Sequence, residues 1–275
     1  MLTGDELLEL SGIDVNRVED LRSVPSWDLD IDDMFTLASR VCTAIDEGYR
    51  SIVVTHGTDS MEESAWLTDL LLGPLRREAC SVIFTGAMRF SDDSSADGPA
   101  NLKFAMQWAL DDKSVGQGVQ IAFASQLHAA RWVRKVDALE LNAFSSDGRP
   151  SFSGRLPSTS GRIDKQVTMI VVNSIVRPEM PESMHGLVLR GPGAGHIPSI
   201  YFDFVDRMWS ADVPVVIASR ARDVKREVAS GDRVLWAGDL TSEKAVLALM
   251  VGLGVSSKMS DITKWWSELL ESSVR

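Results

Sequence analysis

Apolar and polar positions alternate between a helical and a strand period along most of the chain. "DIDDMFTLASRVCTAIDEG" (30–48) carries Ile31, Phe35, Cys42 and Ile45 at helical spacing, with Gly48 placed to stop the helix. "SIVVT" (51–55) follows as a short buried strand. Ser60 and Glu63 have the spacing of a capping box, which predicts a helix running through Trp66 and Leu67 to Leu72. The cycle then repeats with a strand over "CSVIFTG" (80–86), a loop dense in Ser and Asp, and Pro99 in the first turn before a helix over "NLKFAMQWAL" (101–110). "GVQIAFA" (118–124) is the next strand. Strands separated by helices of this length predict a parallel sheet with helices on both faces.

From about Phe144 to Val167 the pattern lapses. "SSDGRPSFSGRLPSTSGR" (145–162) has no lasting apolar period and many turn formers, as a linker or extended arm does. A second αβ set follows: strands over 167–172, 185–191 and 213–219, a helix after Pro198, and helices over 242–254 and 259–273. The fold class is therefore α/β in two domains. The expected organisation is 1–144 for the N-terminal domain, 145–166 for the connection, and 167–275 for the smaller C-terminal domain. No internal repeat is strong enough to indicate duplication.

Composition narrows the function classes. The chain has 275 residues, 44% apolar and 24% charged, which fits a globular protein of one large or two ordinary domains. A net charge of −11 argues against nucleic acid or an anionic membrane as the main partner. Cys42 and Cys80, the two cysteines, read as reduced buried thiols. With no secretory h-region and no membrane-length apolar stretch, a cytoplasmic location is expected. "GPGAG" (191–195) lacks the GxGxxG spacing of a dinucleotide loop, and His185 and His196 have no third ligand to make a metal site.

The candidate chemistry lies in "THGTDSMEE" (55–63). Loops at the carboxyl ends of parallel strands are where open sheets bind ligands, and a helix beginning at once aims its free N–H groups at the same place. Thr58 and Asp59 are the candidates there. A threonine hydroxyl needs a base in hydrogen-bond reach before it acts as a nucleophile, and a carboxylate beside it suits a substrate ammonium. His56 is either that base or a brace for the loop. The segment also reads as a turn with an N-cap, in which Glu62 and Glu63 are capping and surface residues.

Together, "VVTHGTDSMEESAW" (53–66), "VIFTGAMR" (82–89), "DGPANL" (97–102), "HAARWVRK" (128–135) and "GLVLRGPGAGHIP" (186–198) resemble the bacterial-type asparaginase/glutaminase family, in order and across most of the chain. The resemblance implies a larger N-terminal and a smaller C-terminal α/β domain, assembly as a homodimer or homotetramer, and hydrolysis of a side-chain amide through an acyl-threonine. Ammonia is released and neither metal nor other cofactor is needed. It matches Thr58 to the second catalytic threonine, Asp59 to the receiver of the substrate α-ammonium, and Lys135 to the lysine that moves a proton for the threonine. Ser26, in "SVPSWDL" (23–29), matches the serine that gathers the α-carboxylate. By itself Lys135 reads as a solvated lysine.

The chain also departs from the family pattern. Members begin with a strand and a Gly-Gly-Thr-Ile turn bearing the first catalytic threonine, then a mobile loop with a tyrosine. No Gly-Gly-Thr-Ile occurs here, and "MLTGDELLELSG" (1–12) resembles the helix after that loop. The resemblance thus implies an N-terminal sheet without its usual first strand, unless an upstream portion or another segment or subunit supplies it. Trp27 stands where a glutamine commonly binds substrate, Ala124 and Ser125 where many members have Asn-Asp, and Ala194 where a GNGN-like turn has asparagine. Two functions follow. One is an amidohydrolase acting on a small carboxylate-bearing amide, with specificity altered from asparagine. The other is a catalytically impaired relative that binds an amino acid or serves as an assembly or regulatory subunit.

Overall fold

In the computed structural model, which describes residues 3–12, 14–173, 175, 179, 181–221 and 233–272, the alternating periods become two α/β units, Met1–Ser153 and Gly154–Arg275. The first opens with α1 (Gly4–Ser11), capped reciprocally by Thr3 and Glu6. In α2 (Ile31–Asp46) the Asp30 carboxylate accepts from the backbone N–H groups of Asp32 and Asp33, both at 2.9 Å. Such a cap satisfies donors that a helix start otherwise leaves without partners. The α2 stripe Ala38, Val41 and Ile45 is buried.

Strands β1 (Ser51–Thr55), β2 (Ser81–Thr85) and β3 (Val119–Phe123) run parallel, and β4 (Gln126–Ala129) closes the order β1-β2-β3-β4 antiparallel to β3. The sheet is therefore mixed rather than wholly parallel. Its two faces follow from the strand period. Val82, Phe84, Ile121 and Phe123 pack with α2 and α3 (Met61–Ala79), whereas Ile83 and Ala122 face Ala105 and Ala109 of α4 (Gly98–Ala109). A one-residue slip would exchange these sets, so burial on both faces fixes the register. β1 is half-exposed where β2 and β3 are buried throughout, and among the described residues it pairs only with β2.

Two local readings are corrected. α3 breaks at Gly73 (φ 66°) and restarts at Pro74, so helical residues continue to Ala79 beyond the expected stop at Leu72. The restart follows a known preference, since proline suits a first helical turn. Ser60 forms no side-chain cap; its hydroxyl is used elsewhere, and the expected capping box with Glu63 does not form.

The β3–β4 hairpin turns on Ala124 and Ser125, both with positive φ (47° and 59°). A two-residue turn of this kind matches strand twist but strains residues that carry a Cβ. We expect Ser125→Gly to raise stability by about 1 kcal/mol. The urea midpoint should rise with the m-value unchanged, and a lower midpoint would refute the strain. Short strands β5 (Arg134–Lys135) and β6 (Phe144–Ser145) pair antiparallel beyond the hairpin.

The second unit places parallel strands in the order β10 (Leu235–Trp236), β9 (Val215–Ser219), β8 (Gly186–Gly191), β7 (Val167–Val171). Leu187, Leu189, Val215 and Ile217 share a core with Phe204 and Val205 of α5 (Phe202–Ser210). The almost wholly apolar α6 (Ser242–Val255) lies buried beside the sheet and α7 (Met259–Glu271), as a helix without a polar face must. Residue 273, the end of the expected last helix, lies outside the described residues. The stretch 154–166, read from sequence as connection, is laid along these helices. Trp265 Nε1 donates to Ser158 O at 2.8 Å, Ser160 Oγ to Gly254 O at 2.7 Å, and Asp164 N to Met250 O at 2.9 Å. Among the described residues no helix is long and apolar enough to cross a membrane.

Candidate active site

β1 delivers the loop 56–60 to the carboxyl edge of the first sheet. His56 N still donates to Thr85 O at 2.9 Å, so the ladder holds up to the loop itself. Gly57 is then required by a close approach: a Cβ there would stand 2.6 Å from Ser26 Oγ. The 3-10 turn Ser26–Asp28 is stapled against this loop at both ends of Ser26. Asp59 N donates to Ser26 Oγ at 3.1 Å, and Ser60 Oγ donates to Ser26 O at 2.6 Å. That staple is where the hydroxyl expected to cap α3 goes.

Lys135 reaches the loop from β5. Its backbone N donates to Glu62 Oε1 at 3.4 Å, and its register opposite Phe144 fixes the strand. Nζ donates to Thr58 Oγ1 at 2.8 Å and to Asp59 Oδ1 at 2.5 Å. Ser26, Thr58, Asp59 and Lys135 are thus one connected cluster. Trp27 stands at its rim with 70% of its surface exposed, so the indole is not packed into the cluster.

The Lys135–Asp59 pair straddles the surface, its side chains 17% and 43% exposed. A pair so open to solvent contributes at most about 1 kcal/mol to stability. Its consequence is positional: the amine is held against a hydroxyl that is itself almost buried, Thr58 being 9% exposed. The start of α3 adds the positive end of a helix dipole, which favours negative charge at the same edge.

His56 takes the bracing role. Its Nδ1 shares a 2.7 Å bond with Gly57 O, which makes Nδ1 the donor, and among the described residues no hydrogen bond joins it to Thr58. Burial holds the His56 imidazole below its ordinary value, with the Gly57 bond opposing weakly, and burial does the same to His128. The folded state therefore prefers both rings neutral. Their contribution to stability is present above the unfolded value of 6.5 and is lost as pH falls through it toward the depressed folded values. Urea midpoints should drop between about pH 7 and pH 5.5, and His128→Gln should flatten that slope. An unchanged slope in both His128→Gln and His56→Gln would assign the loss to carboxylates.

Sequence reasoning missed three supports of the site. Glu62, read as a capping or surface residue, holds the Lys135 backbone. Asp97 accepts from Met88 N at 3.1 Å and Arg89 N at 3.0 Å, fixing the exit of β2. Asn101 donates to Gly86 O and accepts from Ala124 N, both at 3.0 Å, tying the exits of β2 and β3 together. "DGPANL" was the signal for the last two, as a motif without individual roles. Among the described residues no three His, Cys, Asp or Glu side chains gather as a metal site.

Two α/β units, the first with a threonine, an aspartate and a lysine joined at its sheet edge, define a class of two-domain α/β proteins with a hydroxyl–amine–carboxylate cluster. Residues 2–164 match the family description "Asparaginase, N-terminal" and residues 170–266 match "Glutaminase/Asparaginase C-terminal domain". The chain belongs to the asparaginase family of amidohydrolases. It is 28% identical to the L-asparaginase of Thermococcus kodakarensis, covering 96% of this chain and 89% of that protein. It is also 28% identical to the "Probable L-asparaginase" of Deinococcus radiodurans, covering 80% of this chain and 76% of that one. Among solved structures, the probable cytoplasmic L-asparaginase from Campylobacter jejuni superposes with a TM-score of 0.81 over 97% of this chain and 94% of that one. At 24% identity this last likeness speaks for the two-domain fold alone.

Proposed function

We propose that this chain hydrolyses a small carboxylate-bearing amide and releases ammonia. The observation that carries the reading is the 2.8 Å bond between Lys135 Nζ and Thr58 Oγ1. Once its amine is unprotonated, Lys135 takes the hydroxyl proton as Thr58 Oγ1 bonds to the amide carbon. The C–N bond then breaks, Lys135 returns the proton to nitrogen, and ammonia leaves. Water then gives a proton to the same amine as its oxygen bonds to the ester carbon, the carbon–Oγ1 bond breaks, and Lys135 returns the proton to Thr58 Oγ1. Backbone N–H groups at the start of α3 face the charge that develops on the carbonyl oxygen. Ser26, with backbone amides, holds the substrate carboxylate, and Asp59 receives an α-ammonium.

Trp27 replaces a polar contact with an exposed indole, which supports a preference altered from asparagine. The proposed chemistry uses no threonine from a Gly-Gly-Thr-Ile turn. A homo-oligomer in the cytoplasm completes the reading, with Cys42 and Cys80 as free thiols.

The test is ammonia release by the purified protein from L-asparagine, L-glutamine, succinamate and related carboxylated amides. Release is expected from at least one, with asparagine not the best. No release from any of them, alongside retained amino-acid binding, would replace the hydrolase with a binding protein on the same scaffold.

A further inference from the structure

The turn Ser26–Asp28 carries two unlike neighbours. Ser26 is 4% exposed and held on both sides, Oγ accepting from Asp59 N and its backbone O from Ser60 Oγ. Trp27, the next residue, is 70% exposed, and among the described residues its indole N–H has no partner. Slack backbone does not explain that exposure. Asp28 N donates to Pro25 O at 3.0 Å and Leu29 N to Ser26 O at 3.4 Å, while Gly57 packs directly against Ser26. The other seven of the eight tryptophans are buried or half-buried. A fixed turn thus holds one indole in water beside the cluster, with its large apolar face uncovered.

We propose that Trp27 is a specificity-determining residue that covers an apolar or aromatic group on the carbon chain of the substrate. The preferred amides are then alkyl- or aryl-substituted relatives of succinamate. The proposal rests on the reading that the Thr58–Lys135 cluster hydrolyses a carboxylate-bearing amide, and it names the class of that amide. The neighbours set where the group lies. Ser26 Oγ already accepts one hydrogen bond, which leaves its own hydroxyl proton to donate to a carboxylate. Trp27 follows Ser26, so the indole meets the ligand at its carboxylate end, and the carbon next to that carboxylate is the one that bears the group. The scissile amide keeps a free NH2, and ammonia remains the leaving group. An indole has one donor and no acceptor, so it repays a flat apolar surface better than a small polar ligand such as asparagine.

Acrylamide quenching of the intrinsic fluorescence reads this indole without relying on turnover. The free protein should show an exposed component that Trp27→Gln removes. Saturating 2-benzylsuccinate should shield that component, and succinate should not. By calorimetry 2-benzylsuccinate should bind about tenfold or more tighter than succinate. Trp27→Phe should keep most of that preference, and Trp27→Gln should reduce it to roughly twofold or less. Ammonia release should favour succinamate benzylated next to its carboxylate over succinamate itself, in the same proportion. The absence of an exposed component in the free wild type, which a partner subunit covering the ring would produce, overturns the proposal. So does equal affinity for the two ligands, no binding of either, or a preference unchanged in Trp27→Gln. Failure of the hydrolase reading looks different: 2-benzylsuccinate binds more tightly and shields Trp27, yet no amide yields ammonia.

Discussion

Thr58→Ala should lower kcat/KM for the preferred amide by about three to four orders of magnitude, with the fold intact. The side chain contributes little to packing that alanine cannot replace, but its hydroxyl is the group Lys135 reaches at 2.8 Å. Lys135→Met should cost a similar factor, and the double variant little more than either single one, because the two groups act as a unit. Thr58→Ser keeps an oxygen on the same loop and should retain activity within roughly tenfold of wild type. Lys135→Arg should not restore activity, since guanidinium does not give up its proton. Ammonia release and circular dichroism on the same samples decide the matter. Activity surviving in Thr58→Ala would remove Thr58 from the role of nucleophile.

The parts of this site differed in how readable they were, for physical reasons. Thr58 and Asp59 sit between an apolar strand and a helix start, a local pattern that a short window contains. Lys135 is 77 residues from Thr58, on a strand of two residues with no period to reveal it. It was reachable only through resemblance to a family. Ser60 shows the opposite failure. The Ser-Glu spacing was correct, but Ser26, distant in sequence, competes for the hydroxyl and wins it. β4 was hidden because its turn uses Ala124 and Ser125 where glycine or asparagine would have announced a hairpin. The pattern lapse at 145–162 was real, yet lack of period did not mean lack of packing, since its later part is fastened by hydrogen bonds to α6 and α7. What local rules encode was legible; what depends on a distant partner was not.

The same dependence on distant partners governs the buried charge pair beneath the site's sheet. Asp69→Ala should destabilise the protein by about 3–5 kcal/mol, because it leaves the Arg77 guanidinium buried without its counter-charge. Asp69 is fully buried and accepts from Arg77 Nε at 2.9 Å, Val119 N at 3.1 Å and Ser153 Oγ at 3.2 Å. Arg77 in turn donates to Ser153 O at 2.9 Å, so the pair links α3, the start of β3 and the segment 153 in one network. Gly118 belongs to it as well: with φ 80°, a Cβ there would lie 2.2 Å from Arg77 Nη2. Ion pairs of this kind are expensive to break and less expensive to replace whole. The double variant Asp69→Leu with Arg77→Met should therefore be more stable than Asp69→Ala alone, despite changing two residues. Urea unfolding of the three proteins measures this. A double variant less stable than the single one would show that the hydrogen bonds to Val119 and Ser153, rather than the uncompensated charge, set the cost.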